Sequence, residues 1–407
     1  MESMRIVITG LGVVSPVGNG KEAFWNALIG GVSGIDEIRS FDTSAYRTHK
    51  GGEVKSLEPG RYFQSEHIPS AARGALFAIA ATRMAIEDAR MDTARIDLSE
   101  IGVCCGTTMG ESQLLESMNS NLLDGRPEEL DAEFASHYSA ESIPANVARE
   151  FGFGGPVSII TTACSAGNYA IGQACDLLRS GRAKVVIAGG SDPFSRIAFA
   201  GFNSMLAVTP DVCRPFDLHR KGMFVSEGCA MLVLESIDDA VRRGAKIYAE
   251  VAACGLSNDA HHMTSPHPQG RGAIAAMNNA LREAALAPEQ IHYISAHGTG
   301  TPANDRIETA AIKNVFGDAA RRIPVSSIKS MLGHTMGAAS AIEAATCALV
   351  IDRGVIPPTM NYTTPDPACD LDYVPNAARD ARVRVALSNA FAFGGNCSAL
   401  ILKKCEA

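Results

Sequence analysis

Ser158-Ile-Ile-Thr-Thr-Ala-Cys164 and Ser326-Ser-Ile-Lys-Ser-Met-Leu-Gly-His334 follow one plan: a short apolar run, a turn, then an Ala-rich stretch of helical character. The first such helix ends near Gly181 and the second near Gly354. The likeness extends outward. Arg73-Gly-Ala75 and Arg271-Gly-Ala273 each open an Ala-rich helix. The strands that follow are Ile101-Gly-Val-Cys-Cys-Gly-Thr-Thr108 and Ile291-His-Tyr-Ile-Ser-Ala-His-Gly-Thr299. A diverged repeat of this kind predicts two similar α/β halves, 1–250 and 251–407, each built from βαβ units around a buried sheet. Segment 110–150 is acidic and irregular and reads as an insertion in the first half. In this pairing Cys164 and His334 fall at roughly equivalent positions, so two helix N-termini would surround one central site. Chance likeness between Gly- and Ala-rich segments is the competing explanation.

Composition narrows the class. A chain of 407 residues allows two or three structural units, and 46% hydrophobic with 20% charged content is that of a globular protein. Aromatics are only 6%, with one Trp against 38 Gly, which suits closely packed backbones. Thirty-six cations against 44 anions leave a net charge of −8, which argues against nucleic acid as the partner. The 11 cysteines form no CxxC pair, so neither a disulfide framework nor a metal site is expected, and a reducing compartment fits. No targeting segment is evident, and no apolar run approaches the roughly 18–20 residues of a membrane span. A soluble cytoplasmic protein is expected.

Three residues could carry chemistry. Cys164, in Thr161-Thr-Ala-Cys-Ser-Ala-Gly167, lies where a strand turns into a helix among small residues that would admit a substrate. A helix N-terminus aims N–H groups and positive partial charge at the sulfur, which favours thiolate and could hold an oxyanion. Alone, a cysteine is more often a small buried apolar residue. His297, in Ala296-His-Gly-Thr-Gly-Thr-Pro302, and His334, in Ser330-Met-Leu-Gly-His-Thr-Met-Gly337, each sit in a glycine loop after an apolar strand. That is where an open α/β sheet presents its reactive groups. A Cys and two His at the strand ends of a repeated fold are harder to dismiss than any one alone. Gly10-Leu-Gly12 after a strand suggests a dinucleotide loop, but Ser15 fills the third glycine position and Pro16 follows.

Taken together, Val7-Ile-Thr-Gly-Leu-Gly12, Thr162-Ala-Cys164, Arg214-Pro-Phe-Asp217, Glu227-Gly228, His262-Met-Thr-Ser-Pro266, Ala296-His-Gly-Thr299, Lys329-Ser-Met-Leu-Gly-His334 and Asn389-Ala-Phe-Ala-Phe-Gly-Gly395 resemble the β-ketoacyl-acyl carrier protein synthases, and most of all the synthase II type. The resemblance covers nearly the whole chain. It implies a duplicated, thiolase-like five-layer α/β/α/β/α fold, generally dimeric, and a decarboxylative condensation in fatty acid or type II polyketide or polyene synthesis. By position, Cys164 would take the acyl chain from carrier-protein phosphopantetheine, and the N–H groups of Cys164 and Phe393 would form the oxyanion hole. His297 and His334 would hold the malonyl thioester oxygen while carbon dioxide leaves. Lys329, Asp305 and Glu308 would form a charged cluster supporting the histidines. Thr299 and Thr301 would bind the pantetheine arm, although turn capping explains them nearly as well. Phe391 and Phe393 would gate the acyl pocket, with Met109 at its floor; core filling is the plainer reading of all three. Arg220 would dock the acidic carrier. No metal or other cofactor is implied.

The sequence also departs from the family pattern. Ala392 stands where the family usually has glycine, and alanine narrows the backbone freedom of the gate. Basic docking positions before Arg73 are partly missing. Three alternatives remain open: a synthase active only beside a partner resembling a chain-length factor, a non-catalytic subunit of that kind, and a thiolase acting on coenzyme A substrates with Cys397 as its second cysteine. Retention of Cys164, His297 and His334 speaks against the second, and His334 speaks against the third.

Overall fold

Ile6–Ser15 is buried along its whole length, as expected of a strand covered on both faces. Among the described residues it is the first of five strands that this half places on the main path of the sheet: β1 (Ile6–Ser15), β2 (Ile101–Gly106), β3 (Val157–Ile160), β4 (Val185–Asp192) and β5 (Gly228–Ser236). The second half repeats the set as β6 (Ala249–Asn258), β7 (Tyr293–Ser295), β8 (Val325–Ser326), β9 (Val385–Phe391) and β10 (Asn396–Lys403). The computed structural model describes residues 4–63, 72–126 and 137–406. Across each sheet the order is first, fifth, fourth, second, third: β1-β5-β4-β2-β3 and β6-β10-β9-β7-β8. The directions also match, since the second strand runs parallel to the third and fourth while the fifth runs antiparallel to its neighbours. The sheets meet where Ile6–Ile8 pair with Ala249–Val251.

Helices α1 (Arg73–Asp88), α2 (Ser112–Leu123), α3 (Ser142–Phe151), α4 (Ala166–Arg179), α5 (Arg271–Glu283), α6 (Pro302–Phe316) and α7 (Ala339–Arg353) complete the layers. Side chains alternate along β4: Val185 and Ile187 face Phe77 of α1 and Ile143 of α3, whereas Val186 and Ala188 face inward. On the far side Leu387 and Val385 pack with Met277 of α5 and Ile312 of α6. Between the sheets lie α4 and α7. Every residue of α7 from Ala339 to Ile351 is buried, the mark of a helix enclosed all round. A Cβ added to Gly167 of α4 would come within 2.6 Å of the Ala341 nitrogen, so these helices touch backbone to backbone. The result is the five-layer, duplicated thiolase-like fold expected from the sequence.

Two expectations acquire physical detail here. Gly10 and Gly12 belong to β1, not to a loop. A Cβ on Gly12 would lie 1.8 Å from the Ala81 carbonyl oxygen, so these glycines let α1 lie against the strand. Segment 110–150, read as an insertion, contains α2 and α3, and α3 is the layer helix that precedes β3; residues 127–136 of the segment lie outside the described residues.

Candidate active site

The third strand of each half leads into a central helix through the same backbone turn. Thr162 (φ −96°, ψ 36°) and Thr335 (φ −85°, ψ 29°) cap the two turns. The next residues, Ala163 and Met336, are both left-handed, at φ 51° and 52°. Holding a non-glycine residue there costs on the order of 1 kcal/mol or more, and doing so twice marks a shared device. The residue after each is Cys164 in one half and Gly337 in the other. The expected equivalence of Cys164 and His334 is therefore corrected: Gly337 is the counterpart of Cys164. The reason is loop length. One residue, Thr161, separates β3 from its cap, while eight, Ser327 to His334, separate β8 from Thr335.

Cys164 is buried at the head of α4, and the backbone N–H groups of Cys164 and Phe393 favour the charged form of its sulfur. Burial pushes its thiol up to about 12, against the pull of the Lys329 charge and the two backbone donors. At neutral pH the free protein thus holds a thiol, not the thiolate expected from the helix terminus alone. Desolvation outweighs the dipole here.

His297 and His334 stand edge to face, ring centroids 5.4 Å apart at 81°. Phe391 lies 5.9 Å from the His297 ring. The Met336 N–H donates to His334 Nδ1 at 3.1 Å. Burial first, and the Lys329 charge second, hold both imidazoles well below their usual range, so both are neutral at pH 7. With Nδ1 accepting, the single proton of His334 sits on Nε2, which makes that nitrogen a donor. His297 Nδ1 is buried and has no hydrogen-bond partner among the described residues.

The supporting charges fall into two groups, not one. Glu308 accepts the His297 and Gly298 N–H groups, each at 2.8 Å, and the Asn389 amide at 3.3 Å. Burial pushes it up to about 7. Asp305 accepts from Phe216 N–H at 2.7 Å and Gly300 N–H at 3.2 Å. Both carboxylates therefore brace the loop backbone. Lys329 pairs with neither: its Nζ meets Glu343, on α7, inside the core. Burial pushes Glu343 up to about 7 even beside that ammonium. Glu343 escaped the sequence reading, and Asn389 was quoted in a motif without a role. Glu343 had a signal, being the one ionisable carboxyl in the otherwise uncharged run Ala339–Ile351.

A cavity of about 460 Å³ brings together Cys164, His297, His334, Thr299, Thr301, Phe391 and Phe393. The Thr299 and Thr301 hydroxyls lie 2.9 Å apart on its wall. Ala392 is extended (φ −112°, ψ 156°) and unstrained, whereas Gly394 and Gly395 both have φ 78° and need glycine. Phe393 packs on Phe202 at 5.4 Å, and the Gly394 N–H donates to the Met263 carbonyl. Met109 does not line this cavity. Arg220, expected at a docking surface, is turned inward instead. Its side chain is 6% exposed and pairs with Asp366 at 2.6 Å, while its guanidinium also donates to the Asp217 and Pro302 carbonyls. Its Nε makes no hydrogen bond among the described residues and lies 3.8 Å from Asp305 Oδ2, so the whole head group faces carboxylates and carbonyls inside the protein. Cys397 also reaches the cavity wall.

A buried cysteine at the head of the central helix of this doubled, thiolase-like architecture is a candidate nucleophile beside two histidines. Comparison with known proteins narrows the class: residues 3–240 match the beta-ketoacyl synthase N-terminal domain and residues 248–363 the C-terminal domain, so the chain belongs to the beta-ketoacyl synthase family of condensing enzymes. Over the full length of both chains it is 38% identical to the 3-oxoacyl-[acyl-carrier-protein] synthase 2 of Staphylococcus aureus. It is 40% identical to the protein of that name from Synechocystis, over 99% of each chain. Among solved structures, the ishigamide ketosynthase/chain length factor superposes with a TM-score of 0.96 at 42% identity, covering 99% of this chain and 100% of that one. A type II polyketide ketosynthase, solved with its acyl-carrier protein and bound to a hexaketide, gives 0.92 at 34% identity over 100% of both chains.

Proposed function

We propose that this protein condenses malonyl-carrier protein with an acyl chain held on Cys164, releasing carbon dioxide and a β-ketoacyl-carrier protein two carbons longer. The observation that carries the reading is the joint placement of a thiol under two backbone N–H donors and two neutral imidazoles in one cavity. In the first step Cys164 Sγ attacks the acyl thioester carbonyl. The Cys164 and Phe393 N–H groups hold the oxyanion, the bond to the carrier sulfur breaks, and the carrier leaves as a thiol with the proton. In the second step the malonyl C–C bond breaks, and its electrons move onto the thioester oxygen, which accepts from His334 Nε2–H and from His297. The enolate carbon then attacks the acyl carbonyl, and Cys164 leaves as thiolate and takes a proton from solvent, replacing the one that left with the first carrier. Neutral imidazoles suit this role, because they stabilise a developing oxyanion by donation. Glu308 and Asp305 hold the His297 loop, and Lys329 biases the site through its charge. Thr299 and Thr301 line the path of the phosphopantetheine arm, and Phe391 and Phe393 border the acyl entrance.

The nucleophile belongs to the half 1–250 and the donors to the half 251–407, so the site lies at their junction. Substrates arrive on carrier protein in the cytoplasm, and the step invokes no further cofactor. A second reading is favoured by one observation: Met109, the floor position by resemblance, lies outside the cavity walled by this chain. A second subunit, a copy of this chain or a chain-length-factor-like partner, would then complete the acyl tunnel.

The test incubates the protein with medium-chain acyl-carrier protein, locates the adduct by peptide mass spectrometry, and chases with malonyl-carrier protein. An adduct on Cys164 that leaves as a product two carbons longer is expected. Chain transfer that proceeds from coenzyme A substrates without loss of carbon dioxide would contradict it and favour a thiolase.

A further inference from the structure

The duplicated turns differ in what their N–H groups hold. In the first half the N–H of Cys164 favours the charged form of the nucleophilic sulfur. In the second, the N–H of its counterpart Gly337 donates to Asp192 Oδ2 at 2.6 Å. Asp192 ends β4 and is fully buried. The same oxygen accepts from Thr108 N–H at 2.8 Å, and Oδ1 accepts from Met109 N–H at 3.0 Å and the Thr107 hydroxyl at 2.6 Å. The place where the first half keeps its reactive group is thus filled, in the second, by an internal carboxylate. Gly337 itself has no room for a side chain. A Cβ on Gly337 would lie 2.5 Å from the Thr107 carbonyl carbon and 2.7 Å from Asp192 Oδ2.

We propose that Asp192 is a positioning residue for decarboxylation, acting on His334 through the turn it clamps. Asp192 fixes the Gly337 N–H; the preceding N–H, of Met336, donates to His334 Nδ1 and so directs the Nε2 proton into the cavity. All four contacts to Asp192 come from donors. Asparagine, though the same shape, would turn an NH2 group against them and release the turn. The carboxylate also acts against the nucleophile, since its charge raises Cys164 toward the thiol form. A group that opposes one half-reaction while ordering the other leaves a signature of opposite signs.

This inference rests on the condensing-enzyme reading, and one experiment separates the two. Carbon dioxide release from malonyl-carrier protein and alkylation of Cys164 by iodoacetamide are measured for wild type, Asp192→Asn and Thr107→Val. For Asp192→Asn the decarboxylation kcat should fall about 10- to 100-fold, the scale of a misplaced catalytic group. KM should stay within about twofold of wild type. Alkylation should be as fast as in wild type or faster, because the opposing charge is gone. Equal decarboxylation in folded Asp192→Asn, or matching losses in both assays, would overturn the proposal. If that variant does not fold, Thr107→Val decides: a kcat about two- to threefold lower with unchanged alkylation supports the clamp, and an unchanged kcat refutes it. A wild-type protein that releases no carbon dioxide would instead overturn the condensing reading itself, and the inference with it.

Discussion

The first half crosses from β3 to its helix cap with Thr161 alone; the second places Ser327 to His334 at the same point. Strand order, strand direction, capping threonine and left-handed residue are otherwise matched. A second contrast lies at the ends of β2 and β7. Adjacent N–H groups of Thr108 and Met109 are held by Asp192, and those of His297 and Gly298 by Glu308. Each half thus clamps the same backbone position with a buried carboxylate drawn from a different element. The comparison teaches that the duplicated frame supplies helix termini and strand ends, while short differences in loop length decide which end carries a nucleophile and which carries proton donors.

That division can be broken one side at a time. Replacing His334 with Ala removes a transition-state donor and should lower the decarboxylation kcat by about 10²–10³, as loss of an oxyanion-hole donor does elsewhere. Cys164 should still become acylated, which mass spectrometry of the acyl-enzyme checks.

The long loop of the second half is anchored by Lys329 and Glu343, a buried pair with no counterpart in the one-residue crossing. Lys329→Met should destabilise the fold by about 3–5 kcal/mol, the scale of an orphaned buried charge. The sign with pH follows from the raised Glu343 carboxyl. A carboxyl whose folded pKa exceeds its unfolded value opposes folding as pH rises through the folded value, so the variant should lose more stability at pH 8 than at pH 6. Urea titrations at both pH values read this directly. The exposed pair Arg379–Asp372 is the control, and Arg379→Met should change stability by less than about 1 kcal/mol.

The nucleophile side has its own pH signature. With the thiol pushed up to about 12, the thiolate fraction keeps growing across the alkaline range. Iodoacetamide alkylation of Cys164 should therefore climb steadily from pH 7 to pH 10, with no plateau near the ordinary thiol value of about 8.5. The smallest effect is expected at the gate. Because Ala392 is already extended, Ala392→Gly should cost only about 0.4–1 kcal/mol, through the freedom gained by the unfolded chain. It should leave the rate of Cys164 acylation within a few fold.

Much of this was legible in the sequence because it is local. Strand runs, glycine loops and Ala-rich helices announce themselves over ten or fifteen residues, and they delivered the repeat together with Cys164, His297 and His334 on one cavity. What stayed hidden depends on partners far along the chain. Arg220 turns inward because Asp366 lies 146 residues away in sequence and next to it in space. Lys329 belongs with Glu343 because α7 folds back over its loop, and Asp192 reaches Gly337 across 145 residues. Counterparts were misassigned for a simpler reason: pairing Cys164 with His334 assumed crossings of equal length, and only the backbone angles of Thr162–Ala163 and Thr335–Met336 reveal the offset.

The central claim, that the two halves divide the chemistry at a shared site, is tested most directly by giving Cys164→Ala and His297→Ala the same mixture of acyl- and malonyl-carrier protein. Acyl-enzyme and carbon dioxide are then followed together. The account predicts that Cys164→Ala releases carbon dioxide without forming acyl-enzyme or elongated product, and that His297→Ala forms acyl-enzyme while releasing little carbon dioxide. Folded variants that each lose both steps to the same extent would contradict it.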